Sequence, residues 1–117
     1  MKDKNAARLV ELKLTPRFYR EEHNTICLLI EEQGGVVARG VSVCSPKDQF
    51  VKKTGRNKAL GQALRAVAHK SNRGRLPYKL FAEGQTTFGY KACYVPPGLF
   101  PPERKIVEKF RGRLCQT

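Results

Sequence analysis

The stretch NTICLLIEEQGGVVARGVSVCS, residues 24–45, sets two apolar runs on either side of Gly34-Gly35. A Gly-Gly pair between such runs is a turn signal, because a two-residue hairpin loop needs positive φ. Pairing outward from that turn sets Ile26 opposite Val43 and Leu28 opposite Val41. Cys27 then opposes Ser42 and Cys44 opposes Thr25, so the two thiols are out of register for a cross-strand disulfide. Strand alternation puts Ile26, Leu28, Ile30, Val37, Val41 and Val43 on one face. That face needs a cover.

The cover is expected from the residues that follow. Ser45-Pro46-Lys47-Asp48 has the form of a helix start: a capping Ser, Pro at the first helical position and an acid three residues after the cap. Beyond Thr54-Gly55, a point of interruption, Ala59, Leu60, Ala63, Leu64 and Val67 recur at helical spacing and make one narrow stripe. Its alanines permit close approach to a sheet. Gly61 costs such a helix about 1 kcal/mol relative to Ala unless packing requires it.

Upstream, LVELKL (residues 9–14) alternates and predicts a half-buried strand ended by Thr15-Pro16, and the charged RFYREEHN reads as a loop or a short irregular turn. Downstream, SNRGRLP (71–77) ends the helix in a flexible basic loop. YKLFAEGQTTFGYKACYV suggests a second hairpin around Glu83-Gly84, with Phe88, Tyr90, Ala92 and Tyr94 on one face and Lys91 on the other. The proline-rich PPGLFPP is a stiff connector. PERKIVEKFRGRL then predicts a short terminal helix with Ile106, Val107, Phe110 and Leu114 on one side. A chain of 117 residues is one domain's worth. The expected fold is α+β: a small antiparallel sheet of hairpins packed against a central basic helix, with a short C-terminal helix.

Charge is the most unusual property. Lys and Arg number 23 against 10 acids, a formal net charge of +13, which implies a polyanionic partner. The excess concentrates in Lys52, Lys53, Arg56, Lys58, Arg65, Lys70, Arg73, Arg75 and Lys79, and no acid occurs between Gln49 and Ala82. On the predicted helix Lys58, Gln62, Arg65 and His69 form one row opposite the apolar stripe. A merely solvated helix face mixes signs, since Glu-Lys pairs at i, i+4 favour the helix. A face with bases alone suits phosphates, whose neutralisation releases condensed counterions. Phe88, Tyr90 and Tyr94 could stack exposed bases, but a chain without Trp needs those rings in its core.

Catalytic and metal signatures are lacking. Glu21-Glu22 and Glu31-Glu32 are adjacent pairs, and strand alternation would send the members of each pair to opposite faces. Asp48 serves as the helix-start acid. His23 and His69 are in no Cys/His motif with Cys27, Cys44, Cys93 or Cys115, and no C-x-x-C pair offers a zinc spacing, so the thiols read as reduced. Gly55 and Gly61 have the wrong spacing for a phosphate-binding loop. The reading is a non-enzymatic protein with no cofactor. MKDKNAARLV has no leader-type apolar segment and ICLLI is too short to span a bilayer, so the expected setting is cytoplasmic, with no membrane partner.

Two resemblances add to this. The order hairpin, then a helix with KK…NKALGQALRAV, over residues 26–70, is similar to the C-terminal half of a double-stranded RNA-binding domain. There a sheet is followed by a helix with lysines for phosphates in its first turn and an alanine-rich inner face. The stretch ARGVSVCSPKDQFVKKTGRNKALGQALRAV (38–67) resembles small basic proteins of phages and mobile elements, some of which are CRISPR-Cas inhibitors. That resemblance implies a bacterial host cell as the setting. It leaves two expectations: binding of nucleic acid or a nucleoprotein, or inhibition of a host nuclease complex such as a CRISPR-Cas effector by occupying its nucleic-acid groove.

Overall fold

The computed structural model describes residues 2–21, 24–43, 52–79, 86–94 and 99–115. The elements in order are α1 (Lys2–Leu12), β1 (Leu14–Glu21), β2 (Asn24–Glu31), β3 (Val36–Val43), α2 (Lys52–His69), β4 (Arg73–Lys79), β5 (Thr86–Tyr94) and α3 (Pro101–Cys115). The strands form one five-stranded sheet in the order β1-β2-β3-β5-β4, with every pairing antiparallel. β4 therefore runs parallel to β3 with β5 between them, and α2 makes the connection from β3. The α+β class and the central and C-terminal helices are as the sequence predicts.

The hairpin of the opening stretch forms, but not in the predicted register. Ile26 lies opposite Val41, Leu28 opposite Arg39 and Cys27 opposite Gly40. The loop is longer than Gly34-Gly35: Gly34 N donates to Glu31 O at 2.9 Å and Glu31 N donates to Gly35 O at 2.9 Å. That is a three-residue loop, Glu32-Gln33-Gly34, with the left-handed position filled by Gly34 at φ 94°. A further irregularity between Leu29 and Ile30 brings Ile30 opposite Val36.

The cover is also on the other side from that expected. α2 packs on Cys27, Leu29, Ala38 and Ala92 through Ala59, Ala63, Leu64 and Ala66, with Leu60 and Val67 at the margin. The large residues Ile26, Leu28, Ile30 and Val41 face the opposite way, towards Tyr19, Leu99, Phe100, Ile106, Val107 and Phe110. Size explains the choice. An alanine-lined helix fills space only by lying close to small sheet residues, and Gly40 makes that possible: a Cβ there would lie 2.0 Å from Ala59 O and 2.4 Å from Ala63 N. The bulky face is matched by the bulky residues of α3 and its approach. β2 is consequently buried on both faces from Asn24 to Ile30, which its unbroken ICLLI run also encodes.

Four further local readings are corrected. LVELKL is not a strand: residues 9–12 end α1, whose Leu9 packs inward beside α2 while Val10 is 78% and Leu12 40% exposed. Ala, Arg, Leu, Glu and Lys are all strong helix formers, and a six-residue alternation is too short to outweigh them. Lys13, at φ 57°, turns the chain into β1. β1 contains the RFYRE predicted as a loop, and Pro16 fits because β1 is an edge strand that can lack one N–H. SNRGRLP is likewise strand rather than loop over Arg73–Lys79, with Pro77 on the opposite edge. Thr54-Gly55 does not interrupt α2, which is continuous with Gly55 buried.

The second hairpin pairs Lys79 with Thr86 and Arg73 with Ala92. Its Glu83-Gly84 turn, the Ser45-Pro46-Lys47-Asp48 helix start and Cys44 lie outside the described residues. Ala92 and Tyr94 pack beneath α2, and Lys91 is exposed. The side chains of Phe88, Tyr90 and Leu114 lie outside the described part. Among the described residues no helix is long and apolar enough to cross a membrane.

Candidate nucleic-acid interface

α2 carries the central part of the predicted site. Its inward face is set by Gly55, Ala59, Ala63 and Ala66, which leaves Lys52, Lys53, Arg56, Lys58, Arg65 and, just past its end, Lys70 exposed. Lys58, Arg65 and His69 share the outer row as expected, with Gln62 half-buried between them. At about 1.5 Å per residue that row is about 16 Å long. Among the described residues no carboxylate is paired with any of these bases.

Both ends of α2 shape the charge. No acid occupies the first turn, and Lys52 and Lys53 stand where the helix dipole disfavours cations and favours an anion. At the other end Ser71 N donates to Ala66 O at 3.3 Å, and Lys70 adopts φ 48°. This is a Schellman closure with Lys in the position usually given to Gly. The chain leaves it directly into β4. Arg73, Arg75 and Lys79 thus occupy alternate positions of an edge strand, opposite Ala92, Tyr90 and Thr86.

Some neighbours of this surface are not legible in the sequence. Arg56 lies over the Phe18 ring, 5.4 Å from its centroid, joining the start of α2 to the β1 edge. α1 packs on the same side of the sheet as α2 and adds exposed Lys4 and Arg8. The signal for the α1 contribution was the helical character of residues 2–12, which the short alternation concealed.

The far face of the sheet holds a buried charge pair. Arg39 is 4% and Glu103 0% exposed. Arg39 Nε donates to Glu103 Oε2 at 2.8 Å and its second terminal nitrogen bonds Oε1. The Tyr19 hydroxyl donates to Oε2 at 2.7 Å, and Phe100 N donates to Oε1 at 3.0 Å. The last contact is the reach of a third-position Glu back to the capping residue of a helix that opens on Pro. Arg39 also stacks 4.6 Å from the Phe100 ring centroid. Among the described residues no buried side-chain nitrogen or oxygen lacks a hydrogen-bond partner, and the cluster anchors α3 to β3.

Glu31 and Glu32 border one shallow depression of about 210 Å³ with Leu12, Lys13 and Gln33. The predicted separation by strand alternation does not operate there, because Glu32 belongs to the turn. Among the described residues no three His, Cys, Asp or Glu side chains gather in a way that could hold a metal ion. Cys27 and Cys93 are buried free thiols, and burial pushes both upward in pKa. Comparison with protein families, curated proteins and solved structures gave no match to this chain.

Proposed function

We propose that this protein binds the phosphate backbone of a nucleic acid through the outer row of α2, the first turn of that helix and the basic edge strand that follows it, without catalysing a reaction. One observation carries the reading: the charged side chains exposed on α2 are all basic and, among the described residues, none is paired with a carboxylate, even in the first turn where the helix dipole opposes them. A fold gains nothing from that arrangement. A polyanion does, because each phosphate neutralised releases counterions.

The form of nucleic acid favoured by the fold is double-stranded RNA. A three-stranded meander leading into α2, with Lys52 and Lys53 in the first turn and Ala59, Ala63 and Ala66 inside, is the arrangement that resembles a double-stranded RNA-binding domain. Such recognition works through shape and phosphate contacts rather than base edges.

The test is a titration of labelled RNA duplex against wild-type protein and a Lys58→Gln/Arg65→Gln variant. With four to six phosphates contacted, raising salt from about 50 to 200 mM weakens binding by roughly two to three orders of magnitude. The double variant is expected to lose affinity by about thirtyfold at 0.15 M salt, as two phosphate contacts imply, while melting at the same temperature or slightly above. Affinity indifferent to salt, or a variant that unfolds yet binds as tightly in its folded fraction, refutes the reading.

A further inference from the structure

The bases of α3 form a second surface. Its inward face is Glu103, Ile106, Val107 and Phe110, and its outward arc carries exposed Arg104, Lys105, Lys109 and Arg111 around a single exposed acid, Glu108. Glu108 stands four residues from Arg104 and three from Lys105 and Arg111, so one carboxylate is shared among several bases and the arc stays net positive. This arc lies on the opposite side of the sheet from α2. The helices contact different clusters, α2 that of Cys27, Leu29 and Ala38 and α3 that of Leu28 and Ile30.

The separation decides what the second surface can do. With about 10 Å per layer, the two helix axes are about 20 Å apart, more than twice the Debye length of about 8 Å at physiological salt. The charges of one face therefore do little for a ligand on the other. A duplex is stiff on this scale, DNA's persistence length being about 500 Å, and the smallest extent of the protein's Cα trace is 26 Å. One duplex lying on α2 does not curl round to α3. A second copy of this chain is disfavoured at the arc by like charge. The occupant with complementary charge is another stretch of phosphate backbone.

We infer that α3 is a second phosphate-binding surface, so that one molecule of this protein joins two separate nucleic-acid segments. The inference rests on the nucleic-acid reading above and adds valence to it. The sheet acts as a spacer, and the buried Arg39–Glu103 pair fixes α3 in place against the pull of a bound strand.

A bridging capture tests this. One RNA duplex of about 20 base pairs, longer than the roughly 16 that a single double-stranded RNA module spans, is fixed to beads, and a second, fluorescent duplex is supplied in solution. Wild-type protein is expected to retain the fluorescent duplex on the beads, with retention falling again when protein is in excess of both. A Lys105→Gln/Lys109→Gln variant keeps its affinity for a single duplex within about threefold, since α2 is untouched, and loses most of the co-capture, its α3 surface being weakened about thirtyfold at 0.15 M salt. Both side chains are exposed. Arg111 is spared because its stem lies against Gly34. Tight binding of one duplex with no co-capture overturns the inference and leaves the proposed function standing. Undiminished co-capture by the variant, or sedimentation of the free protein as a dimer, also overturns it. Failure to bind even a single duplex overturns both.

Discussion

Replacing Gly40 by Ala is expected to cost about 3 kcal/mol or more, while the same change at Gly61 is expected to gain about 1 kcal/mol. At Gly40 the new methyl would stand 2.0 Å from Ala59 O and 2.4 Å from Ala63 N. Both are backbone atoms of α2, and Gly40 itself belongs to the central strand β3, so neither side has a side chain that can rotate away. To reach ordinary contact α2 must lift by about 1.4 Å over Ala59. A gap of even 0.5–1 Å forfeits roughly a quarter to a half of a dispersion well, and the loss falls on the whole layer between Ala59, Ala63 and Ala66 and the small sheet residues. Overpacking usually costs about 1–3 kcal/mol, and the absence of a yielding side chain places this case at or above the upper end. At Gly61 nothing lies within 4 Å of the added methyl, so what remains is the helix propensity difference of about 1 kcal/mol. Urea unfolding at 25 °C followed by helix circular dichroism measures both, with equal m-values required for the comparison. A Gly40→Ala protein as stable as wild type would refute the close contact of α2 with the small-residue face. A Gly61→Ala protein that loses stability would mean that Gly61 is needed for packing.

Glu103→Gln keeps shape and one acceptor but leaves the Arg39 cation buried without its counter-charge; the expected cost is about 3–5 kcal/mol. Adding Arg39→Met should recover part of it in a double-mutant cycle, and strict additivity refutes the coupling. In a Cys44→Ser/Cys115→Ser background, the thiols of Cys27 and Cys93 should resist an aromatic disulfide reagent until the protein unfolds. Fast native labelling of Cys27 would contradict its burial. Because burial holds the Cys27 proton on in the folded state, its contribution to stability is intact below the ordinary thiol pKa of about 8.5 and is lost as pH rises above it. Unfolding titrations should show that alkaline decline, and Cys27→Ala should make it shallower, with Cys93 contributing the part that remains.

The sequence by itself determined much of this protein. The apolar runs around Gly34 specify a hairpin, the Ala and Leu spacing of residues 59–67 specifies a helix, and Pro before PERKIVEKF specifies another. The row of Lys58, Arg65 and His69 follows from helical period once the inner stripe is known. Periodicity and turn chemistry are local, so a single chain displays them. Register was not determined, because Gly34-Gly35 suits a two-residue loop as well as the three-residue loop observed, and the choice rests on how β2 and β3 pack with their neighbours. The face covered by α2 was not determined either. Alternation divides Ile26, Leu28 and Ile30 from Cys27 and Leu29, but only volume matching across layers assigns small residues to the alanine helix and large ones to α3. The partnership of Arg39 with Glu103, 64 positions apart, and the placement of two basic helices on opposite sides of one sheet are likewise products of the tertiary structure. A charge pattern in sequence records how many bases there are, whereas the direction each one faces is set by the packing of the residues between them.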